Sequence, residues 1–321
     1  MMGYLLLFLM LFLIELVYFK IADQFNIVDK PNLRSSHTIL TIRGGGIIFY
    51  IGALAYFFSS GFQYPYFFLG LTLMTLISFL DDMFSLSNKI RLIVHFGSVI
   101  LMACQLNLFS LPWYYLVLTF IFVVGVINAY NFMDGINGIT ASYSLAVGLL
   151  LMVVNSKVNF IDQDLLIYSL IGVLVFSFFN FRKKAKTFAG DVGSVSIAYI
   201  FLFCLGLLII KTGSLIYILF LAVYGIDSFW TIIRRIFLKE NIFEAHRSHL
   251  YQYLSNEAGI NKLKVSFLYG IIQFAIGLLV IYFEKFNWLI QSAFSIILLL
   301  VISFFYLYLK NWVIRKFVLK D

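Results

Sequence analysis

The chain has 321 residues, a mean hydropathy of +0.98 and a formal charge of +8, with 62% hydrophobic and only 12% charged residues. A soluble globular domain carries roughly 25% charged residues, so this composition excludes the soluble classes and points to a protein embedded in lipid. The basic excess does not indicate nucleic acid, because it is spread over particular loops.

A spanning helix needs ~20 mostly apolar residues. In chain order such stretches fall at about 1–19, 44–60, 64–80, 90–109, 112–130, 138–155, 163–180, 192–210, 213–233, 263–283 and 287–309. They predict ten or eleven transmembrane helices in an all-α polytopic membrane fold, one domain over residues 1–321. The runs are too continuous for barrel strands, which alternate over ~10 residues. The first stretch is long enough to span and lacks a basic start, so it does not read as a cleavable signal. Cys104 and Cys204 lie inside apolar runs and read as small hydrophobes.

Counting loops from an outside N-terminus, every Lys and Arg except Lys157, Lys211 and Lys285 falls on one side. This asymmetry predicts an inner or plasma membrane protein with its C-terminus in the cytoplasm, and topology alone is reason enough for most single basic residues.

Acids in or near a span are costly and default to functional readings. The polar residues gather in five clusters: Asp29 to Gly46, Asp81-Asp82, Asn128 to Gly138 ("NAYNFMDGING"), Phe188 to Ser194 ("FAGDVGS") and Glu244 to His249 ("EAHRSH"). The predicted topology puts all five on the cytoplasmic face, which implies one site built from distant loops. Carboxylates with amides suit a hard divalent cation that bridges to phosphate. Glycines at helix starts let backbone N–H groups approach phosphate. Nearby Arg, Lys and His neutralise the charge that shifts in phosphoryl transfer. Phe188, beside Asp191, suits stacking on a base. Together these parts fit a nucleoside diphosphate meeting a second phosphate at the membrane surface.

Each cluster also has a plain structural reading. Asp81-Asp82 can cap a helix end, "GDVGS" can be a capped helix start, and Gly44 to Gly46 can be a turn. His246 and His249 lack the company a zinc site needs. His95 reads as a packed helix residue, and Asp227 as a residue that pairs with a basic partner or snorkels.

The motifs "PNLRSSH…RGGG", "LDD", "NAYNFMDGING", "GDVGS" and "AHRSHLYQ" occur in this order from Asp29 onward. With them the chain resembles the polyprenyl-phosphate N-acetylhexosaminyl-1-phosphate transferases, glycosyltransferase family 4, relatives of phospho-N-acetylmuramoyl-pentapeptide transferase. The last motif looks more like the O-antigen-initiating branch. The resemblance implies transfer of a sugar-1-phosphate from a UDP-N-acetylhexosamine to undecaprenyl phosphate, with release of UMP. It implies Mg²⁺ or Mn²⁺ as cofactor, a cytoplasm-facing cleft, a groove for the lipid tail and a homodimer. UDP-GlcNAc is the default donor, with UDP-FucNAc, UDP-QuiNAc and UDP-MurNAc-pentapeptide as alternatives.

Carried over residue by residue, the resemblance makes Asp191 and Asn131 metal ligands, and Asp81 and Asp82 the catalytic pair, with Asp134 beside them. Asn128, Asn137 and Phe188 become nucleotide-sugar contacts. His246, Arg247 and His249 become a loop that grips the sugar and diphosphate, and Lys89 and Arg91 phosphate ligands. A phosphate monoester is mostly a dianion at pH 7, which favours direct attack over an aspartyl-phosphate intermediate. The competing class is a transporter. Carriers place polar groups near the bilayer midplane and often repeat their halves, neither of which this pattern suggests.

Overall fold

The computed structural model describes residues 2–31, 36, 39–84, 86–241 and 246–319. Part of the first cluster (residues 32–35 and 37–38) and Glu244 lie outside the described residues. Helices dominate: α1 (Met2–Gln24), α2 (Ile47–Ser59), α3 (Pro65–Phe84), α4 (Asn88–Gln105), α5 (Trp113–Met133), α6 (Ile139–Val158), α7 (Gln163–Asn180), α8 (Gly190–Thr212), α9 (Ala222–Phe237), the short α10 (Leu250–Gln252), α11 (Lys262–Phe283) and α12 (Trp288–Val313). Every predicted stretch is helical, and nine spans among the described residues are long and apolar enough to cross a membrane. α2 is an apolar helix of 13 residues, shorter than these nine. α4 is less apolar than these nine, because Lys89, Arg91 and His95 occupy its first turns. The chain is an all-α polytopic membrane protein.

Local sequence explains where the helices begin. Asp162, Asn261 and Asn287 accept backbone N–H groups of Asp164, Leu263 and Ile290 at 3.0, 2.9 and 3.1 Å, satisfying donors that a helix start leaves open. One predicted boundary moves. Asp81 and Asp82, expected just beyond the third span, form the last turn of α3, because their carboxylates find partners there instead of water.

α8 is the central helix: 78% of its apolar stretch is buried in the protein, against 6% for the last span. In lipid, helices associate through close packing and hydrogen bonds rather than a hydrophobic drive. At its start α8 meets α2 backbone to backbone, and a Cβ on Gly46 would lie 2.3 Å from the Cα of Gly193. Phe67 stacks on Phe203 at 4.0 Å, and the Tyr199 hydroxyl donates to the Ser98 carbonyl at 2.6 Å. The span that ends in α9 opens as a 3-10 helix over Leu215–Leu221. Gln273 of α11 donates to the Leu219 carbonyl at 3.0 Å and accepts the Val223 N–H at 3.0 Å, which satisfies backbone that lipid cannot.

A small ribbon ties loops together at the site end. β1 (Val28–Asp29) pairs antiparallel with β2 (Thr41–Ile42). The run before α8 joins it: the Phe188 N–H donates to Ile42 at 2.8 Å, Gly45 to Phe188 at 2.9 Å and Gly46 to Ala189 at 3.1 Å.

Candidate active site

The chain at Asp81-Asp82 splits its two carboxylates. Asp82 is turned inward, its side chain fully buried, and accepts the backbone N–H groups of Asp191 and Val192 at 3.1 Å each. A carboxylate at a helix start is favoured by the open N–H groups and the helix dipole, so Asp82 is the cap of α8. Gly190 makes this approach possible. Its φ is +72°, and a Cβ there would lie 2.5 Å from Asp82 Oδ2. Asp81 turns the other way, accepting the Leu86 N–H at 2.7 Å and Arg91 at 2.8 Å.

Two guanidiniums interleave with three carboxylates. Arg43 contacts Asp82 through Nε at 2.7 Å and Asp191 through Nη2 at 3.1 Å. Arg91 contacts Asp81 through Nη1 at 2.8 Å and Asp191 through Nη2 at 3.4 Å. The planar fork of Arg suits such bridging. Asp191 therefore sits between both cations. Burial works against the Arg43 charge, but Asp82 and Asp191 together outweigh it and raise its pKa. The Tyr18 hydroxyl donates to the Arg43 carbonyl at 2.6 Å and holds the arginine's backbone to α1.

A cleft of about 280 Å³ opens beside this ladder. Asn131, Asp134, Asp191 and Ser194 line it together with Gly135 to Asn137, Asn180, Phe188 and Gly190, and Asp29, Ser36, Arg43 and Gln252 also border it. The Asn131 amide donates to Ser194 Oγ at 3.3 Å, which leaves its oxygen available as an acceptor. Asp134 accepts the Thr140 hydroxyl at 2.5 Å. Withdrawal from water pushes the Asp134 carboxyl up to about 6; the Thr140 bond opposes that shift and Asp191 adds to it.

The amides behind the cleft are structural ties. Asn137 donates to the Arg182 and Lys183 carbonyls at 2.9 and 3.3 Å. Asn180 accepts the Gly138 N–H at 2.7 Å and donates to the Thr187 carbonyl at 2.8 Å. The sequence reading did not single out Asn180, although an amide closing an apolar run was its signal. In the sequence Arg43 stands out only within its motif and as part of the charge asymmetry. Gln252 was noticed only as the end of "AHRSHLYQ".

Other candidates lie apart. Lys89 is exposed on the first turn of α4 and outside the cleft lining. Asn128 donates to the Val124 carbonyl one turn back, at 2.9 Å, and is likewise outside the lining. His249 is buried against Asp227, His246 bonds His249, and Arg247 pairs with Glu257 at 3.4 Å. These three lie outside the lining, and Gln252 is the residue that their segment brings to it. Asp227, expected to pair with a basic residue, is fully enclosed and takes His249 as its partner.

The model of the family described as glycosyl transferase family 4 matches residues 64–212. That stretch holds Asp81, Asp82, Arg91, Asn131, Asp134 and Asp191, and leaves out Arg43 and the histidine segment. The chain is 29% identical over 274 residues to a Bacillus subtilis protein described as a probable undecaprenyl-phosphate N-acetylglucosaminyl 1-phosphate transferase, covering 78% of this chain and 75% of that one. It is 32% identical over 216 residues to the undecaprenyl-phosphate alpha-N-acetylglucosaminyl 1-phosphate transferase of Yersinia pestis, covering 61% of this chain and 59% of that one. With the protein of the same description from Escherichia coli K12 it shares 30% over 201 residues, 56% of this chain and 54% of that one. The match thus spans little more than half the length of the last two relatives. On the family model, these relatives and the helical architecture, the chain is similar to glycosyl transferase family 4 over residues 64–212.

Proposed function

We propose that the protein transfers N-acetylhexosamine-1-phosphate from a UDP-sugar to undecaprenyl phosphate, releasing UMP and giving the lipid-linked sugar that starts O-antigen or another surface glycan. The observation that carries this reading is the alternation of Asp82, Arg43, Asp191, Arg91 and Asp81 beside a cleft lined by Asn131 and Asp134. Charges of both signs at the end of a helix bundle suit a diphosphate and an acceptor whose tail stays in hydrocarbon. The descriptions of the relatives support the same acceptor and sugar phosphate.

Mg²⁺ held mainly by substrate phosphates needs only one or two protein oxygens. Asp191 and Asn131 border the same cleft and supply them. Among the described residues no three of His, Cys, Asp and Glu converge as an all-protein metal centre would require. The donor set therefore fits Mg²⁺ or Mn²⁺, which when bound offsets phosphate charge. Arg43 and Arg91, each about one-third exposed, lie where they can exchange a carboxylate for a phosphate oxygen. Asp134 and Asn131 orient the diphosphate, and Phe188 packs on the base.

In the reaction an oxygen of the lipid phosphate forms a bond to the sugar-bearing phosphorus. The bond from that phosphorus to the bridging oxygen breaks, and UMP leaves with that oxygen. The acceptor is mostly a dianion at pH 7 and needs no base. Asp81 orients rather than deprotonates it, while Asp82 holds α8 in place. The site end faces the cytoplasm of an inner membrane in this reading, in keeping with the basic loops. The test is a panel of UDP-sugars with undecaprenyl phosphate and the purified full chain, scored by UMP release. UDP-GlcNAc is expected to turn over. Release of UMP without lipid, with label retained on the protein, would replace direct displacement by a covalent route. No release with any donor would defeat the reading.

A further inference from the structure

α9 places Asp227, Thr231 and Arg235 at intervals of four, so they share one stripe about 12 Å long. The loop histidines, three residues apart, bridge its two ends. Arg235 Nη1 lies 2.5 Å from His246 Nδ1, His246 Nε2 lies 3.1 Å from His249 Nε2, and His249 Nδ1 lies 3.1 Å from Asp227 Oδ1.

The direction of each bond follows from what each end can do. A guanidinium only donates, so His246 Nδ1 accepts and its proton sits on Nε2. That proton is donated to His249 Nε2, so the proton of His249 sits on Nδ1. At the other end Asp227 is surrounded by donors: the Leu250 N–H at 3.2 Å, and the hydroxyls of Thr231, Tyr306 and Tyr269 at 3.3, 3.1 and 2.7 Å. An acceptor-only carboxylate requires the same Nδ1–H on His249. The two ends therefore demand one arrangement, with a single proton between the facing Nε2 atoms.

The last helix closes the network. Lys310 and Tyr306, one turn apart on α12, meet it at Thr231: Lys310 Nζ donates to Thr231 Oγ1 at 3.0 Å and to the Tyr306 hydroxyl at 2.7 Å. Lys310 and Asp227 are both buried, so each offsets the other's charge through hydroxyls. What the network holds is the segment next to the cleft. The His249 N–H donates to Gln252 Oε1 at 3.1 Å, and the Tyr251 hydroxyl donates to the Phe132 carbonyl at 2.9 Å. Phe132 adjoins Asn131, and Gln252 lines the cleft.

We propose that Asp227 is a positioning residue: through His249 it fixes the tautomers of both loop histidines and seats Gln252 and Tyr251 against the cleft. Its effect on turnover rests on the transfer reaction proposed above; its effect on the rings does not. Selective ¹⁵N-histidine labelling suits the question, because the chain holds only four histidines. In the full chain in nanodiscs, with signals assigned through His246→Gln and His249→Gln, His249 is expected as the Nδ1–H form and His246 as the Nε2–H form. Asp227→Asn is expected to shift the His249 signals and lower UMP release about tenfold or more, and Asp227→Glu to restore part of both. An Nε2–H or doubly protonated His249 in the unaltered protein overturns the proposal, whether or not any variant folds. The expected ring signals without UMP release from any donor would leave it standing and count against the transfer reaction instead.

Discussion

The carboxylate of Asp82 receives the backbone N–H of Asp191 at 3.1 Å, so two acids expected to share the chemistry hold different posts. Asp82 is the buried cap of α8 and the anchor of Arg43, whereas Asp191 lines the cleft. Asp82→Asn should therefore cost stability as well as turnover. Breaking a fully buried ion pair costs about 3–5 kcal/mol, and since Arg43 is partly exposed the loss here should fall below that range. Asp81→Asn should cost turnover with a much smaller fall in melting temperature, because Asp81 sits at the edge of the ladder. Thermal unfolding of both variants in one detergent checks this. A larger drop for Asp81→Asn would reverse the assignment.

Gly190 and Gly213 form a matched pair. Both have φ near +70°, but a Cβ on Gly190 would meet Asp82 at 2.5 Å and the Gly44 nitrogen at 2.9 Å, while one on Gly213 meets nothing within 4 Å. Gly213→Ala should lose only the conformational part, about 1–2 kcal/mol. Gly190→Ala should lose more and should also reduce turnover, since the displaced group is Asp82. Equal melting temperatures for the two variants would mean that the close approach carries no cost.

Arg43 bridges two acids with one planar group. Lys keeps the charge but has no fork. Arg43→Lys should therefore lose about 10²-fold in kcat, in line with the loss of one aimed donor, and Arg43→Ala at least as much. Steady-state UMP release measures both. A fully active Arg43→Lys would show that the bridge is dispensable.

Burial raises the Asp134 carboxyl from 3.8 to about 6. If the ionised form orients the diphosphate, turnover falls as pH drops through about 6. Stability has the opposite sign. The folded state keeps a proton that the unfolded chain releases near the ordinary value, so Asp134 contributes most below that value and loses its contribution as pH rises through about 6. Asp134→Asn should flatten the melting temperature across that window and abolish turnover at every pH. Full turnover of the unaltered protein at pH 5 would count against the role.

The spans were legible because long apolar runs alternate with charged loops; α7 falls at 163–180 in both the reading and the structure. The break at Leu215–Leu221 was not, since that segment is uniformly apolar and carries neither Gly nor Pro. Two-residue strands leave no alternation to read, so the ribbon joining Ile42 to Phe188 was also hidden. Asn131, Asp134, Asn137 and Asp191 stood out because they cluster with glycines at the ends of apolar runs, whereas Asn180 and Gln252, which also line the cleft, sit in no such cluster. Arg43 was masked by the other basic residues of its loops, and only the fold shows that it joins Asp82 to Asp191. The histidine pair was visible as a motif, but its partner Asp227 lies 22 residues away from His249 on a different helix.

In the proposed reaction the diphosphate cleft depends on a divalent cation held by Asp191 with Asn131. The most direct test of this dependence is UMP release from UDP-GlcNAc and undecaprenyl phosphate by the purified protein, after chelation and then with Mg²⁺ returned stepwise, alongside Asp191→Asn. The expected result is no release after chelation, recovery with Mg²⁺, and no recovery in Asp191→Asn at any concentration. Release that persists under chelation, or an Asp191→Asn variant that responds to Mg²⁺ as the unaltered protein does, would contradict it.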